Sequence, residues 1–275
     1  MTDSIVSDYG AKGWYPQNIN LLRQVIDEHI DAWGWLANVT CVIAPHAGLR
    51  WCAETFSKTM SYVRDDYDLV VLIGPSHRVR FQDKILLTNK SRLITPLGDC
   101  ELFDSEHLYD IGVVDNHQHT LEHSIHMHIP YIQRFIPDCS VLPIIVSRLT
   151  DNYINIVVDR LRSITTDRTL LMISSDFTHY GDKFNYTPYS SDIKEQITNE
   201  DKKVIDMITS LDYNRYTAHM NNNDSTICGK EAIRIAMKYI DKQSHGELVS
   251  YTMSGDHNND YNNSVSYAGI IFHDK

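Results

Sequence analysis

The sequence predicts an α/β fold, a layered sandwich of helices around a mainly parallel or mixed central sheet. Three observations carry this. Short apolar runs rich in β-branched residues recur along the 275 residues. Amphipathic stretches of helical period separate them, and no repeat or Gly/Ser-rich linker interrupts the alternation. The absence of a linker favours one domain over residues 1–275.

In chain order, strands are expected near 39–44, 68–74, 84–88, 140–146, 168–174, 247–253 and 264–272. Val70-Val71-Leu72-Ile73 and Leu170-Leu171-Met172-Ile173 are apolar at every position, the pattern of strands covered on both faces. The first helix is expected from Asn18 to Trp35, where Ile19, Leu22, Val25, Ile26 and Ile30 recur at helical spacing. Further helices are expected near 50–64, 120–136, 151–164, 191–209 and 228–240, with Thr120 as the cap of the central one. The last two strands are expected to pair antiparallel across a polar loop that holds His257.

Composition narrows the function classes. A formal charge of −11 argues against a nucleic-acid partner, which needs a concentrated basic surface. No apolar run reaches the length of a membrane span. The first twenty residues are polar, so a secretory signal is not expected. Five cysteines without a CxxC pair fit a reduced cytoplasmic compartment, with the thiols, Cys228 among them, buried or incidental.

Three of the 14 histidines stand where an apolar run ends: His46 in Val42-Ile43-Ala44-Pro45-His46, His77 in Ile73-Gly74-Pro75-Ser76-His77, and His257 after Ser254-Gly255-Asp256. Open α/β sheets place their sites beyond the carboxyl ends of strands, and three imidazoles delivered there suit a first-row transition metal. His46, His77 and His257 are therefore the candidate metal ligands. The densest segment is Glu122-His123-Ser124-Ile125-His126-Met127-His128. There His123 and His126 share a helix face as a possible metal pair, His123 can serve as an acid/base group, and His126 and His128 can equally face solvent. In Ser174-Ser175-Asp176-Phe177-Thr178-His179, the three-residue spacing lets Asp176 orient His179. His123, Asp176 and His179 are the candidate proton-transfer residues. A Ser-His-Asp hydrolase is disfavoured because no GxSxG elbow occurs.

These residues resemble those of the Memo family, the mediators of ErbB2-driven cell motility. The likeness runs through Gly13-Trp14-Tyr15, Ala44-Pro45-His46-Ala47-Gly48, Gly74-Pro75-Ser76-His77 and Thr95-Pro96-Leu97-Gly98. It continues in Glu122-His123-Ser124-Ile125, Met127-His128-Ile129-Pro130, Ser174-Ser175-Asp176-Phe177, His179, Gly181 and Ser264-Val265-Ser266-Tyr267-Ala268-Gly269. The resemblance implies a fold similar to class III non-haem iron extradiol dioxygenases, and a pocket whose ligands are two histidines and a cysteine. His46 and His77 match the histidines. The cysteine position, counted back from Ser264, falls on His257, with Asp256 beside it as an alternative carboxylate ligand. The resemblance also places Trp14 and Tyr15 at the pocket wall. His126 stands where the family usually has glutamate, and Asn185 where it tends to carry arginine, leaving Lys183 or Arg80 to contact a phosphate.

Two functions follow. One is a dioxygenase-like oxidoreductase with iron, or alternatively copper or zinc, on His46, His77 and His257, and with a small aromatic substrate against Trp14 and Tyr15. The other is a non-enzymatic signalling module that captures a tyrosine- or phosphotyrosine-containing peptide. Zinc-dependent hydrolysis with Glu122 or Asp176 as base is a third possibility.

Overall fold

The computed structural model describes residues 3–30, 38–222 and 224–274. Twelve strands form among these residues: β1 (Ser4–Val6), β2 (Val39–Ala44), β3 (Leu69–Pro75), β4 (Ile85–Leu87), β5 (Arg92–Thr95), β6 (Gly98–Glu101), β7 (Gly112–Val114), β8 (Ser140–Val146), β9 (Thr169–Ser174), β10 (His179–Tyr180), β11 (His245–Met253) and β12 (Ser264–His273). The helices are α1 (Ile19–Asp27), α2 (Leu49–Met60), α3 (Asn116–Leu121), α4 (His123–His126), α5 (Ile129–Phe135), α6 (Asp151–Ile164), α7 (Ile193–Thr209), α8 (Tyr213–Asn222), α9 (Lys230–Tyr239) and α10 (Ser254–Asn258).

The large sheet has the order β10-β12-β2-β9-β3-β8-β4-β7, with β11 paired to β12 outside this path. Its centre, β2-β9-β3-β8, is parallel, while β12 joins β2 and β11 antiparallel. A small sheet, β1-β5-β6, stands apart. Side chains alternate along each central strand and so feed two cores. Val42, Val70, Leu72, Leu170 and Met172 face one core with Phe56 and Met60 of α2. Cys41, Ile43, Val71, Ile73, Leu171 and Ile173 face the other with Val157 of α6, Ile205 of α7 and Ile233 of α9. Helices on both faces explain why these runs carry no polar alternation.

All seven expected strands form, and 151–164 is helical as expected. Three expectations are corrected. Helix α1 ends at Asp27, and the remainder of its expected span enters residues 31–37, outside the described residues. The helix expected over 120–136 is three short helices. Glu122 takes an extended conformation to cap α4, accepting from the Ser124 N–H. Pro130, which lacks an N–H, opens α5. The loop expected around His257 is the short helix α10, whose Asp256 carboxylate accepts from the Met253 N–H.

A candidate metal centre at the strand ends

The parallel strands β2, β3 and β9 end side by side, with Ala44 registered to Ser174. The chain leaving β2 carries His46, the chain leaving β3 carries His77, and Ser174 closes β9. Cys228 comes from another direction, just before α9. One ligand atom from each of His46, His77 and Cys228 lies within 4.8 Å of the other two. The His46 Nε2 to Cys228 Sγ distance is 3.2 Å.

Hydrogen bonds decide which nitrogens are available. The Ser174 hydroxyl donates its one proton to the Ser124 carbonyl at 2.6 Å, so at 2.7 Å from His46 Nδ1 it accepts. His46 therefore carries its proton on Nδ1 and a lone pair on Nε2. His77 Nδ1 donates to Glu122 Oε1 at 2.8 Å, and the His77 main-chain N–H donates to Oε2 at 2.7 Å. Both imidazoles thus have the oriented, Nδ1-anchored form that metal-binding histidines adopt. Burial and the neighbouring imidazoles hold His46 neutral, well below the usual histidine range. Burial pushes Glu122 up, but the hydrogen bonds from His77 outweigh it and keep the carboxyl below its ordinary range.

The donor set fits a metal ion. Burial and the Asp176 carboxylate push the Cys228 thiol well up, so a bound cation would supply the charge that makes the thiolate. Two imidazoles and a sulfur suit zinc, copper or iron.

Close approaches of main chain build the centre. A Cβ on Gly74 would lie 2.5 Å from Ser124 Oγ, so glycine there lets α4 bring Glu122 beneath His77. A Cβ on Gly229 would lie 2.4 Å from Ser175 Cβ, so glycine lets the segment carrying Cys228 seat against the end of β9.

The residues singled out in the sequence separate into two groups. His46, His77, His123, Asp176, His179 and Trp14 all line one pocket of about 540 Å³, together with Trp51, Phe184, Tyr267, Arg50 and Lys183. His123 sits with its ring centroid 4.2 Å from that of His77, and its Nδ1 is 3.3 Å from Glu122 Oε1. Asp176 does not orient His179. Its Oδ1 accepts from the His46 main-chain N–H at 2.8 Å, while His179 Nδ1 donates to the Phe177 carbonyl at 2.9 Å. Burial pushes Asp176 up to about 6 and lowers His123 to about 3 and His179 to about 4.

His257 is not brought to the ligand cluster. It is exposed in the last turn of α10, its ring 6.0 Å from that of Trp51. Asp256 is no ligand substitute either, because it accepts from Lys194 Nζ at 2.7 Å and the Tyr261 hydroxyl at 2.8 Å. Tyr15 is buried and does not line the pocket, its hydroxyl lying 2.6 Å from Ser7 Oγ. His126 and His128 are fully buried rather than facing solvent, and His126 Nε2 donates to the His119 carbonyl, away from His123. Lys183 lines the pocket and Arg80 does not. Cys228 was missed because the cysteine ligand that the resemblance implies was placed by counting back from Ser264, which fell on His257 and passed over Cys228 further back in the chain. Its one signal was its place with Gly229 immediately ahead of an amphipathic helix.

Fold and site together define a layered α/β protein with a histidine-lined pocket at the ends of its parallel strands and the Cys228 sulfur 3.2 Å from one of those histidines. The chain belongs to the Memo-like protein family, whose model matches residues 9–271. It is 30% identical to the memo-1 homolog of Caenorhabditis elegans, covering 95% of this chain and 81% of that protein. It is 28% identical to a MEMO1 family protein of Archaeoglobus fulgidus, over 95% and 97%, and 27% identical to MEMO1 of Xenopus tropicalis, over 94% of each.

Proposed function

We propose that this protein is a metal-dependent, dioxygenase-like redox protein that binds one ion on His46, His77 and Cys228 and takes a small aromatic substrate. The observation that carries the reading is the convergence of two histidines, each held with Nε2 as its lone-pair nitrogen, upon a cysteine sulfur. A bound iron or copper would supply electron transfer and Lewis acidity, and zinc Lewis acidity alone.

The chain's own groups handle substrate and protons. Trp14, Trp51 and Phe184 offer ring faces to an aromatic substrate, and Arg50 and Lys183 offer positive charge to an anionic substituent. His179 gives its Nδ1 proton to a main-chain carbonyl, which leaves Nε2 to accept a proton from a substrate hydroxyl. Asp176, near 6, holds or releases a proton around neutral pH. A second reading, capture of a tyrosine- or phosphotyrosine-containing peptide, is favoured by the same aromatic wall and cations.

Elemental analysis of untagged protein tests the first reading. One equivalent of metal is expected to be lost in His46→Ala, His77→Ala and Cys228→Ala but kept in His257→Ala. Oxygen uptake with catechols should follow the metal. If no metal is found or taken up anaerobically from Fe(II), and Cys228→Ala still binds a tyrosine peptide, the second reading replaces it.

A further inference from the structure

A second group of ligand-bearing side chains lies outside the pocket, where β11 begins and β12 ends. His245 and His273 are directly registered across the antiparallel pair, and Glu247 follows His245 by two residues on the same face. One ligand atom from each of the three lies within 4.8 Å of the other two. The His245 and His273 ring centroids are 5.3 Å apart. The Nδ1 of His273 donates to the Asp274 carbonyl at 3.2 Å, which leaves Nε2 as the lone-pair nitrogen. The Ser244 hydroxyl donates to the Asp274 carboxylate at 2.9 Å, tying the end of β12 to the start of β11.

We propose that His245, Glu247 and His273 form a second site, for a divalent ion of the zinc type. Two imidazoles and a carboxylate suit borderline divalent ions such as zinc. Around a tetrahedral zinc, ligand atoms stand roughly 3.3 Å apart. The present spacing would close to that by rotamer adjustment of the exposed His245 and Glu247 toward the half-buried His273, with water completing the shell. The donor set lacks sulfur, which separates it chemically from the centre at Cys228. A bound ion would clamp the two strand ends together. This site does not depend on the reading of the pocket.

Equilibrium dialysis of the full chain against zinc, with cobalt(II) as a spectroscopic stand-in, tests it. Wild type is expected to take up one equivalent more than His245→Ala or His273→Ala, two against one where the Cys228 centre also fills. Those two variants should retain the thiolate-to-cobalt charge-transfer band of the Cys228 centre, which also reports that they are folded. Cys228→Ala should lose that band and keep the second equivalent. Glu247→Gln, a shape-preserving change at an exposed position, should weaken the second equivalent about tenfold. Equal uptake by wild type and both histidine variants would overturn the proposal. So would a single wild-type equivalent that Cys228→Ala abolishes.

Discussion

Ser174 and Glu122 do not line the pocket, yet they decide what His46 and His77 can do. A hydroxyl whose proton is committed to Ser124, and a carboxylate that grips both the ring and the main chain of His77, leave each imidazole one possible tautomer. Glu122→Gln keeps the shape but weakens the acceptor, and a Gln amide can face His77 with its N–H₂ instead. Metal affinity is expected to fall about 10- to 100-fold in this variant, read by chelator competition. At this scale the sequence was informative about the histidines, while the cysteine that the resemblance implies was placed on the wrong residue, His257. His46 and His77 leave apolar strands that must be buried, so their place on the rim follows from local pattern. Cys228 is separated by 182 residues from the His46 it meets, and nothing near it in sequence shows what it faces.

Short elements, more than long ones, set the pocket. Residues 116–135 form three helices because Glu122 and Pro130 interrupt them, and each interruption aims something. The first turns Glu122 toward His77; the second starts a helix that buries Tyr131 and Phe135. Helix α9 starts at Lys230 with Gly229 pressed on Ser175. Its φ of −85° is open to any residue, so a Gly229→Ala effect would report crowding and not backbone strain. The added methyl must push the Cys228 segment away from β9. A stability loss of about 1–3 kcal/mol is expected in urea unfolding, with weaker metal binding alongside. Element boundaries of the long strands were legible in sequence because burial on two faces leaves uninterrupted apolar runs. The His257 helix was not, since four polar residues and a glycine give no period to read.

Over the whole molecule, buried neutral histidines create an acid liability. His128 is fully buried against Phe56, neither ring nitrogen has a hydrogen-bond partner among the described residues, and burial lowers it to about 3 from 6.5. His119, lowered to about 4 by burial, acts in the same sense. A histidine depressed in the folded state binds its proton more readily when unfolded. Its neutral form is therefore compatible with the fold above about pH 6.5, and stability falls as pH drops from there toward 3. For His128 alone the loss is about 2 kcal/mol at pH 5. His128→Leu should flatten this acid limb in denaturant titrations, with its advantage over wild type growing as pH falls. An advantage that stays constant with pH would mean that His128 does not carry the liability.

No helix is long and apolar enough to cross a membrane among the described residues, and the order of strands and helices follows from hydrophobic period alone, because that period is a local property of the chain. The site was only half determined that way. Sequence could place His46, His77, Asp176 and His179 at strand ends, since strand ends are themselves local. Which third side chain completes the centre, and which nitrogen each histidine presents, depended on Cys228, Glu122 and Ser174 meeting across the fold. Those meetings are made by packing between distant segments, with glycine at positions 74 and 229 permitting the approach.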